Sequence, residues 1–218
     1  MNMDTAVGGP SRVPLQGRSR ASFERMLSAA AKLLIERGSD DFTIADVSKA
    51  GKVSIGSIYG RFDSKDDLIR AVQARALAEV DMEMARGLDA AATESKTLDE
   101  LVSKLIETLA EVLKKHSAIL RPLMLRATFD EVVAKEGKRS YAATEQQFRQ
   151  LLLNRSKEIH HPDPERAVRS VFRIVYAAFA RYLGFGSSTT AAWEGDWQVL
   201  KEDLEVMSSA FLRHGARD

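Results

Sequence analysis

Residues 43–67 read Thr43-Ile-Ala-Asp-Val-Ser-Lys-Ala-Gly-Lys-Val-Ser-Ile-Gly-Ser-Ile-Tyr-Gly-Arg-Phe-Asp-Ser-Lys-Asp-Asp67. The spacing predicts two short helices joined by a tight turn, followed by the start of a third. Thr43 with Asp46 three positions on has the form of a capping box, which satisfies N–H groups left open at a helix start. Gly51 closes that first helix. Ser54 caps the second, and Ser64 caps the third, with Asp66 and Asp67 placed where the helix dipole favours negative charge. Ile44, Val47 and Ile58 supply an apolar inner face, so the first helix can brace the second at a fixed angle. The outer face of the second helix presents Ser54, Ile55, Ser57 and Gly60, none of them bulky. A helix this slim can approach base edges in a major groove, which makes double-stranded DNA the partner to expect.

Each residue of the motif then takes a chemical role. Ser57 can exchange a hydrogen bond with a base, and Ile55 can pack on a thymine methyl. The Tyr59 hydroxyl can reach a phosphate. Lys65, at the start of the third helix of the stretch, can neutralise one, and Lys52 in the turn can contact another. Backbone N–H groups at the helix starts marked by Thr43, Ser54 and Ser64 are further phosphate sites. Gly56 and Arg61 complete the recognition segment over 54–61. Phe62 is expected to fasten this segment onto the helix that follows. Arg18 and Arg20, in or beside an N-terminal arm, can enter a minor groove or meet the backbone. The alternative is a helical ligand-binding or protein-interaction module that does not bind specific DNA, since capped short helices with a glycine turn also occur in such proteins.

Outward from the motif, apolar residues recur at steps of three and four, so the chain reads as all-α. Residues 1–17, polar and rich in Gly and Pro, read as a flexible arm. A helix over 19–37 carries Phe23, Leu27, Ala30 and Leu34 on one face and ends at Gly38. The helix begun at Ser64 runs to about Arg86, and 87–96 reads as a polar break. Leu98, Leu101, Val102, Leu105, Leu109 and Val112 mark the next helix, interrupted at His116-Ser117 and resumed over 118–128 with Pro122 near its restart. Further helices are expected over 131–158, with a possible break at Gly137, then over 165–185 and 196–213. The expected organisation is a helix-turn-helix domain over 18–66 and a C-terminal helical bundle over 67–218, about nine helices in all.

Composition narrows the function classes. The chain has 218 residues, 44% of them hydrophobic and 29% charged, as in ordinary globular proteins. It contains no cysteine, which excludes a disulfide framework and thiolate metal sites. No apolar run approaches the ~18 residues of a membrane span, and no apolar core of a secretory signal opens the chain, so a cytoplasmic location is expected. Residues 1–65 hold ten Lys/Arg against seven Asp/Glu, while the remainder holds 22 against 24. A mildly basic N-terminal third suits a polyanion. His116, His160 and His161 lack the companions of a metal site, and no nucleophile triad or phosphate-cradling loop appears, so neither enzyme activity nor a cofactor is expected.

Residues 19–68 resemble the N-terminal domain of the TetR family of bacterial transcriptional regulators. The resemblance rests on Phe42-Thr43-Ile44, on Val53-Ser54, and on the run Ser54-x-Gly56-x-x-Tyr59-x-x-Phe62-x-Ser64-Lys65 with Leu68. Two positions depart from the pattern: Lys52 stands in the turn where the family usually has Gly, and Ser48 where a small buried Ala is usual. The resemblance implies a homodimer that binds an operator palindrome, most often as a repressor, and a C-terminal domain that takes a small effector. The last two long helices would then pair across the dimer, through Val168, Val175, Phe179 and Tyr182 on the first and Trp197, Leu200, Leu204, Met207 and Phe211 on the second. Leu105, Leu109, Met124, Phe129, Phe148, Leu152, Phe172 and Tyr176 are the candidates to line an apolar effector cavity.

Overall fold

The computed structural model of the chain describes residues 13–186 and 195–214, with side chains from residue 19 onward. Eight α-helices follow one another among them: α1 (Val13–Arg37), α2 (Ile44–Gly51), α3 (Ile55–Tyr59), α4 (Lys65–Glu94), α5 (Leu98–Arg126), α6 (Glu131–Leu153), α7 (Pro164–Tyr182) and α8 (Trp197–Arg213). A 3-10 turn over Ser156–Glu158 separates α6 from α7. The described residues contain no strand. They form two compact units, one of residues up to 33 together with 42–72, the other of residues 34–41 and 73 onward.

Helix starts follow the caps written in the sequence. Thr43 and Asp46 form both halves of the capping box of α2. Ser54, Thr97, Asp130, Asp163 and Asp196 each accept an N–H at the head of α3, α5, α6, α7 and α8 in turn. Pro164 occupies the first turn of α7, where no donor is lost.

Several boundaries differ from the sequence reading. α1 begins at Val13, so the last residues of the predicted arm are helical, and residues 1–12 lie outside the described residues. α4 continues to Glu94 through most of the predicted break, because 87–94 holds several good helix formers and no proline. α5 is unbroken: His116 and Ser117 stay helical, and Pro122 stands inside the last turn and a half, forgoing one backbone bond. Gly137 does not interrupt α6, which ends at Leu153, earlier than expected.

In the N-terminal unit, Met26, Ala30, Val47, Ile58, Leu68 and Ile69 are fully buried and hold the three short-range elements around one core. Phe62 stacks on Phe23 of α1, ring centroids 5.8 Å apart, so it ties the segment after α3 back to α1. The second unit is built around α5, which packs against α6, α7 and α8, while α7 also packs against α6 and α8. Its core includes Leu105, Leu109, Phe148, Leu152, Phe172 and Phe179, all 0% exposed. Within this unit the buried Arg126 guanidinium joins Asp130, 3.0 Å away, and Asp40 of the loop after α1. Burial of that cation is tolerable because two carboxylates neutralise it.

Candidate nucleic-acid interface and the apolar cavity

The turn between α2 and α3 is set by Ser48, Gly51 and Lys52 together. Lys52 adopts the left-handed conformation, with φ 49° and ψ 48°. For a residue with a Cβ that region costs roughly 1–2 kcal/mol. Ser48 answers the strain from both ends. Its carbonyl accepts N–H bonds from Lys52 and Val53, and its hydroxyl donates to the Val53 carbonyl at 2.6 Å. Gly51 is kept one place earlier by packing. A Cβ there would lie 3.2 Å from both the Ala29 Cβ and the Arg25 carbonyl of α1. The close approach claims the glycine, and the turn conformation falls to lysine.

This turn holds α3 with Ile58 inward, 0% exposed, and its other side outward. Ser54, Ile55, Gly56, Ser57, Tyr59 and Gly60 are all exposed, with Ile55 at 44% and Tyr59 at 54%. Nothing lies within 4 Å of a Cβ built at Gly56, so this face is open as well as slim. The Ser57 N–H is taken by the Ser54 hydroxyl at 3.1 Å, and the two hydroxyls meet at 2.8 Å. A hydroxyl has one donor and two acceptor positions, so Ser57 keeps capacity toward a base edge. Lys52 and Arg20 are also exposed.

Four candidate contacts are otherwise engaged. The Lys65 ammonium donates to the Phe42 carbonyl at 3.2 Å and lies over the Phe42 ring, 5.3 Å from its centroid. Its position is that of a brace between α4 and the head of α2, not of a free cation. Arg61 donates to the Ser19 carbonyl at 3.1 Å and to the Ser19 hydroxyl, and its guanidinium covers the Phe23 ring. At the head of α2, Thr43 spends its hydroxyl and N–H on the Asp46 carboxylate, which places negative charge where a phosphate was expected. The head of α4 is similar: Ser64 donates to Asp67 at 2.7 Å, beside Asp66. The side chain of Arg18 lies outside the described residues.

In the second unit, a cavity of about 430 Å³ opens between α4, α5, α6 and α7. This volume falls within the roughly 300–1,000 Å³ of small-molecule sites. Of the eight predicted lining residues only Met124 and Tyr176 border it. Leu105, Leu109, Phe148, Leu152 and Phe172 are fully buried core, and Phe129 is 65% exposed on the outside, its ring against the Arg126 guanidinium. The walls missed are Leu77, Val80 and Met84 of α4, with Leu113, Leu120 and Tyr141. The steps of three and four at 77, 80 and 84 marked that inner face, but no partner had been assigned to it. The aromatic wall is a cluster in which Tyr141 meets Tyr176 edge-on, centroids 4.8 Å apart, and both approach Phe172. Burial, with a smaller push from Tyr141, raises the Tyr176 phenol to about 12.

The predicted pairing surface is also rearranged. Val168, Val175 and Phe179 are 0% exposed, Leu204 is 5% and Trp197 8% exposed, all within the core of their own subunit. Tyr182 and Leu200 are half-buried against that core, and Tyr182 donates to the Gly195 carbonyl at 2.8 Å. Met207 and Phe211 remain exposed, joined by Ile174, Val199 and Val206, which the sequence reading passed over. The cause is the phase of α8. Its inward stripe runs Trp197, Lys201, Leu204, Ser208 and Leu212. Lys201 can be buried because Glu107 and Glu111 of α5 meet its ammonium at 2.7 and 3.0 Å. Burial alone pulls the lysine pKa down, but the hydrogen bonds to the two glutamates outweigh it and the net shift is upward. Trp193 lies outside the described residues.

Two of the histidines, His116 and His161, are occupied by neighbours. His116 pairs with Glu83 at 2.9 Å, and His161 is buried against the Phe211 ring and the head of α7. Among the described residues no group of three or more His, Cys, Asp or Glu could hold a metal ion. No helix there is long and apolar enough to cross a membrane.

Residues 26–72 match the family model described as bacterial regulatory proteins, tetR family. An HTH-type transcriptional regulator of Bacillus subtilis, the uncharacterised YwcC, is 39% identical over 54 residues, 25% of this chain and 24% of that protein. The matched stretch therefore spans about a quarter of that relative. Solved structures share the architecture along most of the chain. A protein assigned to the TetR-family regulators of Mesorhizobium loti superposes with a TM-score of 0.71 at 16% identity, covering 89% of this chain and 96% of its own. A bacterial regulatory protein of the tetR family from Rhodococcus gives a TM-score of 0.63 at 16% identity, over 90% of this chain and 98% of its own. At such identities the likeness concerns the fold.

Proposed function

We propose that the protein is a ligand-responsive transcriptional regulator of the TetR kind that binds a palindromic operator as a homodimer, a reading supported by the match of residues 26–72 to the tetR family model. The observation that carries this reading is the outer face of α3. Ser54, Ile55, Gly56, Ser57 and Tyr59 are exposed, slim and unobstructed, while Ile58 anchors the helix from behind. Ser57 and Ile55 read base edges, and Tyr59, Lys52 and Arg20 meet phosphates. Lys65 and Arg61 hold the motif together from within. The cavity of the second unit receives a small, largely apolar effector whose binding lowers operator affinity, so the regulator acts as a repressor.

The second copy is proposed to dock on the face formed by Ile174 with Val199, Val206, Met207 and Phe211, each between 39% and 69% exposed. Apolar side chains clustered in this way on a soluble chain mark an interaction surface. On α8, Val199 and Val206 lie opposite the stripe that enters the subunit core, with Met207 and Phe211 along its flank.

The test is a salt titration of DNA affinity with three variants. Affinity should fall steeply as salt rises. Lys52→Gln should weaken all duplexes alike and reduce the logarithmic salt slope by about one. Tyr59→Phe should weaken all duplexes alike, and Ser57→Ala should change which sequences are preferred. Affinity insensitive to salt, or unchanged by all three substitutions, refutes the reading.

A further inference from the structure

The cavity proposed above as the effector site has one charged residue on its wall, and the class of molecule it takes rests on that proposal. Its walls are mostly aliphatic and thioether, from Leu77, Val80, Met84, Leu113 and Met124. A single charged side chain borders it, Lys138 of α6, and no aspartate or glutamate does. Lys138 is exposed as well as lining, so it stands at the mouth. No ion pair of its ammonium occurs among the described residues.

The second observation is Tyr176. It borders the cavity, half-buried, and no hydrogen bond of its hydroxyl occurs among the described residues. A hydroxyl beside a cavity with its donor unspent can meet a ligand oxygen. Its high pKa keeps the proton on at neutral pH, so the group can donate. The neighbouring Tyr141 also borders the cavity. Lys138 lies one helical turn before Tyr141, whose ring touches Tyr176, so the cation and the unspent donor belong to the same side of the cavity.

We propose that the cavity takes a weak organic acid, an apolar hydrocarbon or aryl body whose carboxylate lies on the Lys138–Tyr176 side. A cationic ligand of the same shape finds no counter-charge there and faces Lys138. A carboxylate gains a charge-assisted hydrogen bond from Lys138 and a second bond from the tyrosine.

Isothermal titration of the full chain, without DNA, tests this with decanoate and decylammonium, both below micelle-forming concentrations. Decanoate should bind about ten-fold more tightly, the worth of one charge-assisted bond at a solvated mouth. Lys138→Met should bring the two probes to near parity, and Lys138→Glu should reverse their order. Tyr176→Phe should weaken decanoate several-fold. Lys138 is exposed, so its variants should melt like the parent in the absence of probe. Decylammonium binding as tightly as decanoate, no binding by either probe, or a preference untouched by Lys138→Glu overturns the proposal. Lys138-dependent binding of decanoate that leaves DNA affinity unchanged upholds the ligand class and refutes the effector role instead.

Discussion

At the residue scale, Ser48, Gly51 and Lys52 form one arrangement. The strain of a left-handed lysine is held by the double clamp from Ser48, while Gly51 is reserved for contact with α1. Ser48→Ala removes the hydroxyl bond to Val53 and should lower stability by about 1 kcal/mol in urea unfolding. Adding Lys52→Gly to that variant should recover much of the loss by relieving the strain. Gly51→Ala drives a methyl group into Ala29 and the Arg25 carbonyl and should destabilise by roughly 1–3 kcal/mol. The sequence displayed both departures, and the capping residues around them were legible because caps are local chemistry. What it did not display was their interdependence, since the glycine answers to α1 and the serine to a carbonyl five residues on. The intramolecular contacts of Lys65 and Arg61 were not legible for the same reason. Their partners, Phe42 and Ser19, are 23 and 42 residues away.

At the scale of elements, the helices themselves were legible and their phases were less so. In α8 the apolar residues alone trace Trp197, Leu200, Leu204, Met207 and Phe211, yet the helix turns Lys201 and Ser208 inward. A pattern of apolar positions cannot anticipate a lysine neutralised by two glutamates of another helix. The same network predicts acid behaviour. The indole N–H of Trp197, 2.9 Å from the Glu111 carboxylate, and then the Lys201 ammonium hold the Glu111 pKa below its ordinary value near 4.5. A carboxylate depressed in the folded state contributes stability above about pH 4.5 and loses it as pH falls through the lower folded value. Glu111→Gln should therefore lower the melting temperature at neutral pH and flatten its decline in acid. Parallel melting curves for the two proteins below pH 4.5 would show that this contact does not titrate with folding. The cavity was half legible in the same sense: Met124 and Tyr176 were identified, but the α4 wall depends on how α4 lies against α5 and α6 within the second unit.

At the scale of the molecule, the proposed function couples a slim recognition helix to duplication of the chain. A single α3 of five residues would read only a few base pairs, so the proposed specificity requires two copies held at a set spacing. Val206→Glu or Met207→Glu alters a side chain exposed in the subunit, at 69% and 61%, so the subunit fold should persist. Sedimentation velocity should then show monomers, with operator affinity lost alongside the dimer. The most direct measurement is selection of bound sequences by the purified chain from a pool of random duplex DNA. The account predicts enrichment of an inverted repeat whose half-sites lie about 34–36 Å apart or slightly more, with the repeat's bases changing for Ser57→Ala. A pool that stays random, or that yields a lone half-site without its inverted mate, would contradict it.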